Sequence, residues 1–103
     1  GCEANEAAIK LARLHGHKLG IDTPNIIVME GGFHGRTMAT LSASGGRKYQ
    51  AGFEPLMPGF IRVPYDDIAA LKKIADQKNK ISAILIEPIQ GEGGVNIPDN
   101  FNA

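Results

Sequence analysis

The sequence predicts an α/β fold, in which helices pack on a largely parallel β-sheet. Helical and extended patterns alternate along the 103 residues, which is the order of a doubly wound layer. Three short apolar runs have the length of strands, and right-handed crossovers between them would make the strands parallel. The carboxyl ends of parallel strands meet at one edge of the sheet, so we expect a ligand site at that edge.

The first half of the chain predicts a long helix, a buried strand and a short helix. Apolar residues recur at helical spacing over 3–19, and Gly20 is expected to cap this helix. The run IIVM at 26–29 predicts a buried strand. A glycine-rich loop at 31–35 follows it, and residues 36–43 predict a short helix.

The second half predicts an irregular excursion followed by a strand, a helix and a strand. Prolines and glycines over 49–59 indicate a surface segment without regular structure. Residues 60–65 predict a strand, and Asp66 is expected to cap the helix after it. The near-continuous apolar run at 81–86 predicts a strand that is buried on both faces.

The composition is that of an ordinary globular domain. Eleven basic residues balance eleven acidic ones, and 43% of the residues are hydrophobic, so nothing asks for nucleic acid or an anionic membrane. No apolar run approaches the ~20 residues of a membrane helix. One cysteine fits a reducing compartment, and we expect a cytoplasmic protein. Because the sequence opens with Gly and stops without a terminal element, we interpret it as an excerpt of a longer protein.

The loop after the last predicted strand carries the densest group of polar residues in the chain, EPIQGEGG at 87–94. Glu87 stands at the carboxyl end of the strand, and Gln90 and Glu92 follow it together with three glycines. Carboxylates on flexible backbone at a strand exit are typical of a ligand site. The alternative is a solvated loop without chemistry.

The start of the first predicted helix is a second candidate site. Unpaired N–H groups at Gly1 and Cys2, with the positive end of the helix dipole, would make a phosphate cradle. One alternative is that Gly1 only marks where this chain starts. Another is that Cys2 is a nucleophile activated by the helix dipole, although no local signature ties a histidine to it.

The loop GGFHGRT at 31–37 is the third candidate. Glycines on both sides of Phe33 would let its ring approach a flat ligand, while the alternative is a core position. The Arg36 guanidinium can bind a carboxylate or phosphate bidentately, while the alternative is a surface ion pair. We interpret His34 as a wall residue, since no partner stands at metal spacing. The loop is not a dinucleotide fingerprint, and the chain has no Walker A lysine.

Three blocks of the sequence carry a family likeness: GCEANEAA at 1–8, FHGRT at 33–37 and EPIQGEGG at 87–94. Together they resemble the class III aminotransferases, which are pyridoxal-phosphate enzymes of fold type I, and most of all the acetylornithine aminotransferases. The likeness covers essentially the whole chain. It implies that residues 1–103 are part of the cofactor-binding large domain of a longer protein, a three-layer α/β/α domain with a mostly parallel sheet.

The resemblance implies how the cofactor, pyridoxal 5'-phosphate, would be held. The backbone at Gly1 and Cys2 would bind its phosphate, and Phe33 would lie against its pyridine ring. Glu87 and Gln90 would shape the cofactor surroundings. Cys2 departs from the family pattern, in which Ala, Thr or Val is commoner, but backbone contacts survive that change.

The resemblance also implies the reaction, which is transfer of the terminal amino group of N-acetylornithine to 2-oxoglutarate in arginine biosynthesis. Arg36 would bind a substrate carboxylate, and Glu92 would pair with a second, downstream substrate arginine. We expect a homodimeric parent enzyme with small-molecule substrates. The alternatives are an ornithine, succinylornithine or 4-aminobutyrate aminotransferase, or a non-catalytic module that kept the fold.

No catalytic residue is expected within this chain. The resemblance implies that the lysine forming the Schiff base, and the aspartate pairing with the pyridine nitrogen, lie beyond Ala103. The lysines of this chain stand on predicted helix faces or in loops without the family's lysine context. We therefore expect that the chain alone does not transaminate.

Overall fold

A computed structural model describes residues 1–45, 47–76 and 80–91 of the chain. Its elements are α1 (Cys2–Lys18), β1 (Asn25–Met29), α2 (Met38–Ala43), α3 (Arg47–Gln50), β2 (Phe60–Val63), α4 (Ile68–Asp76) and β3 (Ile81–Leu85). The described strands form one sheet in the order β2-β1-β3, and both pairings are parallel. The predicted α/β class and parallel sheet are confirmed.

Strand β1 lies at the centre of the core, and its alternating side chains face two different layers. Ile26 and Val28 pack with Ile9 of α1 and with the apolar face of α2. Ile27 and Met29 pack on the opposite side, in a cluster that α4 helps to cover. Because successive side chains of a strand point to opposite faces, one strand joins the two clusters into an α/β/α arrangement.

Helix α1 ends at Lys18, one residue before the predicted end, so its C-cap is not the predicted Gly20. Leu19 is its C-cap, and Gly20 follows with φ of +86°, a left-handed conformation that glycine adopts without a steric penalty. Near that end, Gly16 is buried. A Cβ at Gly16 would lie 2.5 Å from the Cβ of Pro24, so α1 packs closely on the turn that leads into β1.

The start of α2 differs by two residues from the prediction. The helix begins at Met38 rather than at 36, because Thr37 is its N-cap. Thr40 N donates to the Thr37 hydroxyl, and Thr37 N donates to the Thr40 hydroxyl at 3.0 Å. This reciprocal capping leaves Arg36 in the loop before the helix.

The prediction that residues 49–59 are irregular is wrong at their beginning, because α3 extends to Gln50. The Gln50 side chain holds this short helix against α2. Its Nε2 donates to Leu41 O at 3.1 Å and to Ser44 O at 2.7 Å. These contacts, to residues nine and six positions away, stabilise a four-residue helix that is too short to be stable by itself.

The cap of α4 is also different from the prediction. Ala70 N donates to the Asp67 carboxylate at 2.9 Å, so Asp67 rather than Asp66 caps the helix. Asp66 has φ of +60°, which makes it part of the turn between β2 and α4. Two adjacent aspartates offer the same capping group, and the turn geometry selects the second one.

The prediction that residues 81–86 are buried on both faces is wrong for the described part of the chain. Ile84 is 49% exposed and Ile86 is 39% exposed. The reason is the strand order, in which β3 pairs only with β1 and forms an edge of the described sheet. Among the described residues, no helix is long and apolar enough to cross a membrane.

Candidate functional site

The loops that leave β1 and β3 meet at the carboxyl edge of the sheet. Phe33 N donates to Glu87 Oε1 at 3.1 Å, and Gln90 Nε2 donates to Glu30 O at 3.0 Å. Gln90 is 1% exposed, so its amide group is fully enclosed in this contact. The predicted convergence of these two loops is confirmed, and the side chains of Glu87 and Gln90 are what fasten one loop to the other.

Tyr65 brings the end of the third described strand to the same edge. It follows β2, and its hydroxyl donates to Glu87 O at 2.8 Å and to Pro88 O at 3.0 Å. Desolvation, and then the nearby carboxylates of Glu87 and Asp66, raise the pKa of Tyr65 above its usual value, which keeps the hydroxyl protonated as a donor. Sequence reasoning missed this role, because a tyrosine closing an apolar run indicates only a strand end.

The first turn of α1 lies against the loop that leaves β1. Asn5 Nδ2 donates to His34 O at 2.8 Å. A Cβ on Gly35, which has φ of +130°, would collide with Cys2 Sγ. The start of the helix therefore approaches the carboxyl edge of the sheet, and glycine at 35 is what permits the close approach.

The start of α1 is open enough to hold an anionic group. The helix has 17 residues, its N-cap is Gly1, and no side chain caps it. A Cβ at Gly1 would meet nothing within 4 Å. Backbone N–H groups in the first turn of a helix have no partner within the helix, so they can donate to a phosphate. Cys2 is half-buried with a free thiol.

A flat ring and a guanidinium lie next to each other beyond the same loop. The ring of Phe33 meets the ring of Tyr49 edge-on, with centroids 5.8 Å apart and planes inclined at 64°. Arg36 Cζ lies 5.5 Å from the centroid of the Tyr49 ring. The side chain of Arg36 is exposed. Sequence reasoning predicted Phe33 and Arg36 as ligand-binding residues but missed Tyr49, which contacts both.

An open cleft of about 560 Å³ adjoins Arg36 and Tyr49 on the α2 and α3 side. Its lining combines one cation with mostly apolar side chains: Arg36, Thr37, Met38, Leu41, Tyr49 and Phe53. A ligand with a carboxylate and an aliphatic chain has the matching chemistry.

His34 is buried in the wall of the site, as the sequence predicts. It is 6% exposed, and its backbone N donates to Ser44 Oγ at 2.8 Å. Its Nε2 has no hydrogen-bond partner among the described residues. Burial lowers the pKa of His34, Glu87 opposes that shift, and Arg62 adds to it, so the neutral ring is favoured.

The remaining predicted site residue, Glu92, lies outside the described residues. The other predicted residues all lie along the carboxyl edge of the sheet or at the start of α1: Gly1, Cys2, Phe33, Arg36, Glu87 and Gln90. Within the described ranges, no group of three His, Cys, Asp or Glu side chains is arranged to hold a metal ion. The described residues bring an uncapped helix start, an aromatic ring and an exposed guanidinium to this edge of the sheet.

The chain matches the family "Aminotransferase class-III" over residues 1–102, and it belongs to that family. Among curated relatives, it is 68% identical over 98 residues to the acetylornithine aminotransferase of Nitrosomonas europaea. It is 58% identical over 96 residues to the acetylornithine aminotransferase of Gloeobacter violaceus. These matches cover 95% and 92% of this chain but 25% and 24% of the two relatives, so the chain spans about a quarter of their length.

Solved structures show the same fold. The ornithine aminotransferase of Toxoplasma gondii ME49 superposes with a TM-score of 0.89 at 37% identity, over 97% of this chain and 24% of that chain. A second structure of that Toxoplasma enzyme has partial occupancy of PLP at its active site. An (S)-enantioselective omega-transaminase from Thermomicrobium roseum superposes with a TM-score of 0.85 at 31% identity, over 95% of this chain and 26% of that chain.

Proposed function

We propose that residues 1–103 are part of the cofactor-binding large domain of a pyridoxal-phosphate-dependent aminotransferase. The whole enzyme would transfer the terminal amino group of N-acetylornithine to 2-oxoglutarate in arginine biosynthesis. The observation that carries the proposal is the meeting of three features at one sheet edge: an open helix start, an aromatic ring and an exposed guanidinium. The 68% identity to an acetylornithine aminotransferase supports the choice of amino donor.

The cofactor would lie between the start of α1 and the loop that leaves β1. In this proposal, backbone N–H groups at Gly1 and Cys2 bind the phosphate, and Phe33 packs against the pyridine ring. Glu87 fixes the backbone of Phe33 by accepting a hydrogen bond from Phe33 N. Gln90 fixes the start of the same loop by donating to Glu30 O. When bound, pyridoxal phosphate supplies the electron sink for amino transfer.

Substrate carboxylates would be recognised by Arg36, with Glu92 balancing a second arginine elsewhere in the enzyme. The Arg36 guanidinium is exposed, and among the described residues it forms no ion pair with a carboxylate. It therefore retains its full capacity for a bidentate contact with a dicarboxylic substrate. The Schiff-base lysine and the aspartate at the pyridine nitrogen would lie in the part of the enzyme that this chain does not span.

Other assignments in the proposal concern the whole enzyme. We propose that the whole enzyme is a homodimer in the cytoplasm. The single cysteine of this chain is consistent with the reducing compartment and does not bear on the dimer. Ornithine is the second candidate donor, because an ornithine aminotransferase superposes on this chain with a TM-score of 0.89.

The test is a donor competition with the full-length protein loaded with pyridoxal phosphate. N-acetylornithine, ornithine, succinylornithine and 4-aminobutyrate are each supplied with 2-oxoglutarate, and kcat/KM is measured. We expect the highest kcat/KM with N-acetylornithine. A higher value for ornithine or 4-aminobutyrate would refute the proposed donor. No turnover with any of the four donors by the loaded protein would favour the non-catalytic alternative.

A further inference from the structure

We infer that Tyr49 is a positioning residue, which holds Arg36 and Phe33 in a fixed relation and so sets the affinity of the site for dicarboxylates. The inference rests on the proposed function of the same site. Its basis is that one ring makes both contacts: Arg36 Cζ lies over it, 5.5 Å from its centroid, and the Phe33 ring centroid lies 5.8 Å from that same centroid. In the described part of the chain, no other aromatic ring contacts either residue.

The contact with Arg36 restricts a side chain that is otherwise free to move. Arg36 is exposed, and no carboxylate among the described residues pairs with it. A long side chain loses rotamer freedom when it binds a ligand, and a prior contact reduces that loss. The face of an aromatic ring attracts a guanidinium without neutralising it. Tyr49 can therefore hold Arg36 in place while leaving its charge available to a carboxylate.

Tyr49 can act in this way because its own helix is anchored. The neighbouring residue, Gln50, donates to Leu41 O and Ser44 O, which fixes α3 against the end of α2. Phe53 N donates to Gln50 O at 3.1 Å and so continues the turn after the helix. The ring of Tyr49 is thus presented from a rigid support to the loop that carries Phe33 and Arg36.

The experiment uses the full-length holoenzyme and glutarate, a dicarboxylate without an oxo group, as the probe. Calorimetry gives the Kd of glutarate, and kinetics give KM and kcat for 2-oxoglutarate. Tyr49→Leu and Tyr49→Met remove the ring, and Tyr49→Phe keeps it. Phe53→Leu is the matched control, because Phe53 lines the same cleft and is 57% exposed.

Loss of the ring should raise the glutarate Kd by roughly 2- to 5-fold, which is the size of an exposed cation–π contact. KM for 2-oxoglutarate should rise in parallel while kcat changes less. Tyr49→Phe should bind glutarate like the wild type, and Phe53→Leu, which changes only the apolar lining of the cleft, should raise the Kd less than Tyr49→Leu does. An unchanged Kd in both ring-deleting variants would overturn the inference, and so would an equal rise in Phe53→Leu, which would show a general packing effect.

A double-mutant cycle with Arg36→Ala shows whether Tyr49 acts through Arg36. In the Arg36→Ala background, Tyr49→Leu should not weaken glutarate binding further, since contacting residues couple in such cycles. Additive losses would overturn the inference. If the wild-type enzyme turns over substrate but Tyr49→Leu binds glutarate as tightly as the wild type, only the role of Tyr49 is refuted. If the wild-type protein shows no turnover but its glutarate Kd still depends on the Tyr49 ring, only the proposed reaction is refuted.

Discussion

Strands β1 and β3 have similar apolar sequences, NIIVM and ISAIL, yet very different surroundings. In β1, Ile27 and Val28 are 0% exposed, whereas in β3 Ile84 is 49% exposed. The two strands pair with each other, and β1 also pairs with β2. An apolar run thus shows only that the side chains of a strand can be buried. The position of the strand in the sheet, central for β1 and at the edge for β3, decides how much of its surface the described residues cover.

Strands β1 and β3 differ in burial, but the loops that follow them make equivalent contacts. Each exit loop donates a hydrogen bond to the other, through Phe33 N and through Gln90 Nε2. These contacts join residues that are 54 and 60 positions apart in sequence. The carboxyl edge is therefore held by contacts within this chain, while the outer side of β3 is exposed.

The largest expected effect tests the contrast between the two strands. Ile27→Ala should destabilise the chain by about 2–5 kcal/mol, because it opens a cavity in the cluster under β1. Ile84→Ala should cost about 1 kcal/mol or less, since half of that side chain already contacts solvent. Urea unfolding of the 103-residue chain measures both. Equal losses would contradict the contrast, and a larger Ile84→Ala loss in the full-length protein would show that further chain covers β3.

The next effect concerns the exit of β1. Arg36→Lys in the full-length enzyme should weaken dicarboxylate recognition by about 1.5–3 kcal/mol, or ~10- to 150-fold in KM, because lysine cannot make the bidentate contact. Arg13→Lys is a matched control, since Arg13 donates to Pro58 O away from this site. Steady-state kinetics with both substrates would refute the role of Arg36 if neither KM changed.

Phe33 is expected to give a smaller effect on ligand binding. Phe33→Ala should weaken cofactor retention by about 0.5–1.5 kcal/mol, the value of ring stacking, and leave the apo protein nearly as stable. Phe33 is only half-buried, which argues against a core role. Equilibrium dialysis measures retention, with Phe53→Ala as the control. A loss of about 3–5 kcal/mol in apo stability would instead assign Phe33 to the core.

The elements that the sequence predicts well are those that local pattern or loop chemistry defines. The helix ending before Gly20, and the meeting of Glu87 with the loop around Phe33, follow from periodicity and from the geometry of parallel strands. Tyr49 was missed because its short helix depends on hydrogen bonds from Gln50 to residues six and nine positions away. The exposure of β3 was missed because strand order is set by long-range pairing, which an apolar run does not encode.

The smallest expected effect is the contribution of the buried His34 to the pH dependence of stability. Burial lowers the pKa of His34 from its ordinary 6.5, so below that pH the unfolded chain binds the proton more readily than the folded chain. Stability tied to neutral His34 is complete above pH 6.5 and is lost as the pH falls from there through the lowered pKa.

His34→Asn should therefore flatten the acid-side loss of stability, even if it lowers stability at every pH. The measurement is urea unfolding of the full-length apo protein at about pH 7.5 and about pH 5.5, comparing the difference between the two in each variant. His17→Asn is the control for replacing a histidine, because His17 is exposed on α1. Glu87 faces His34 and opposes its shift, so Glu87→Gln should enlarge the loss. Equal pH differences in wild type and His34→Asn would show that burial of the ring does not make stability depend on its neutral form.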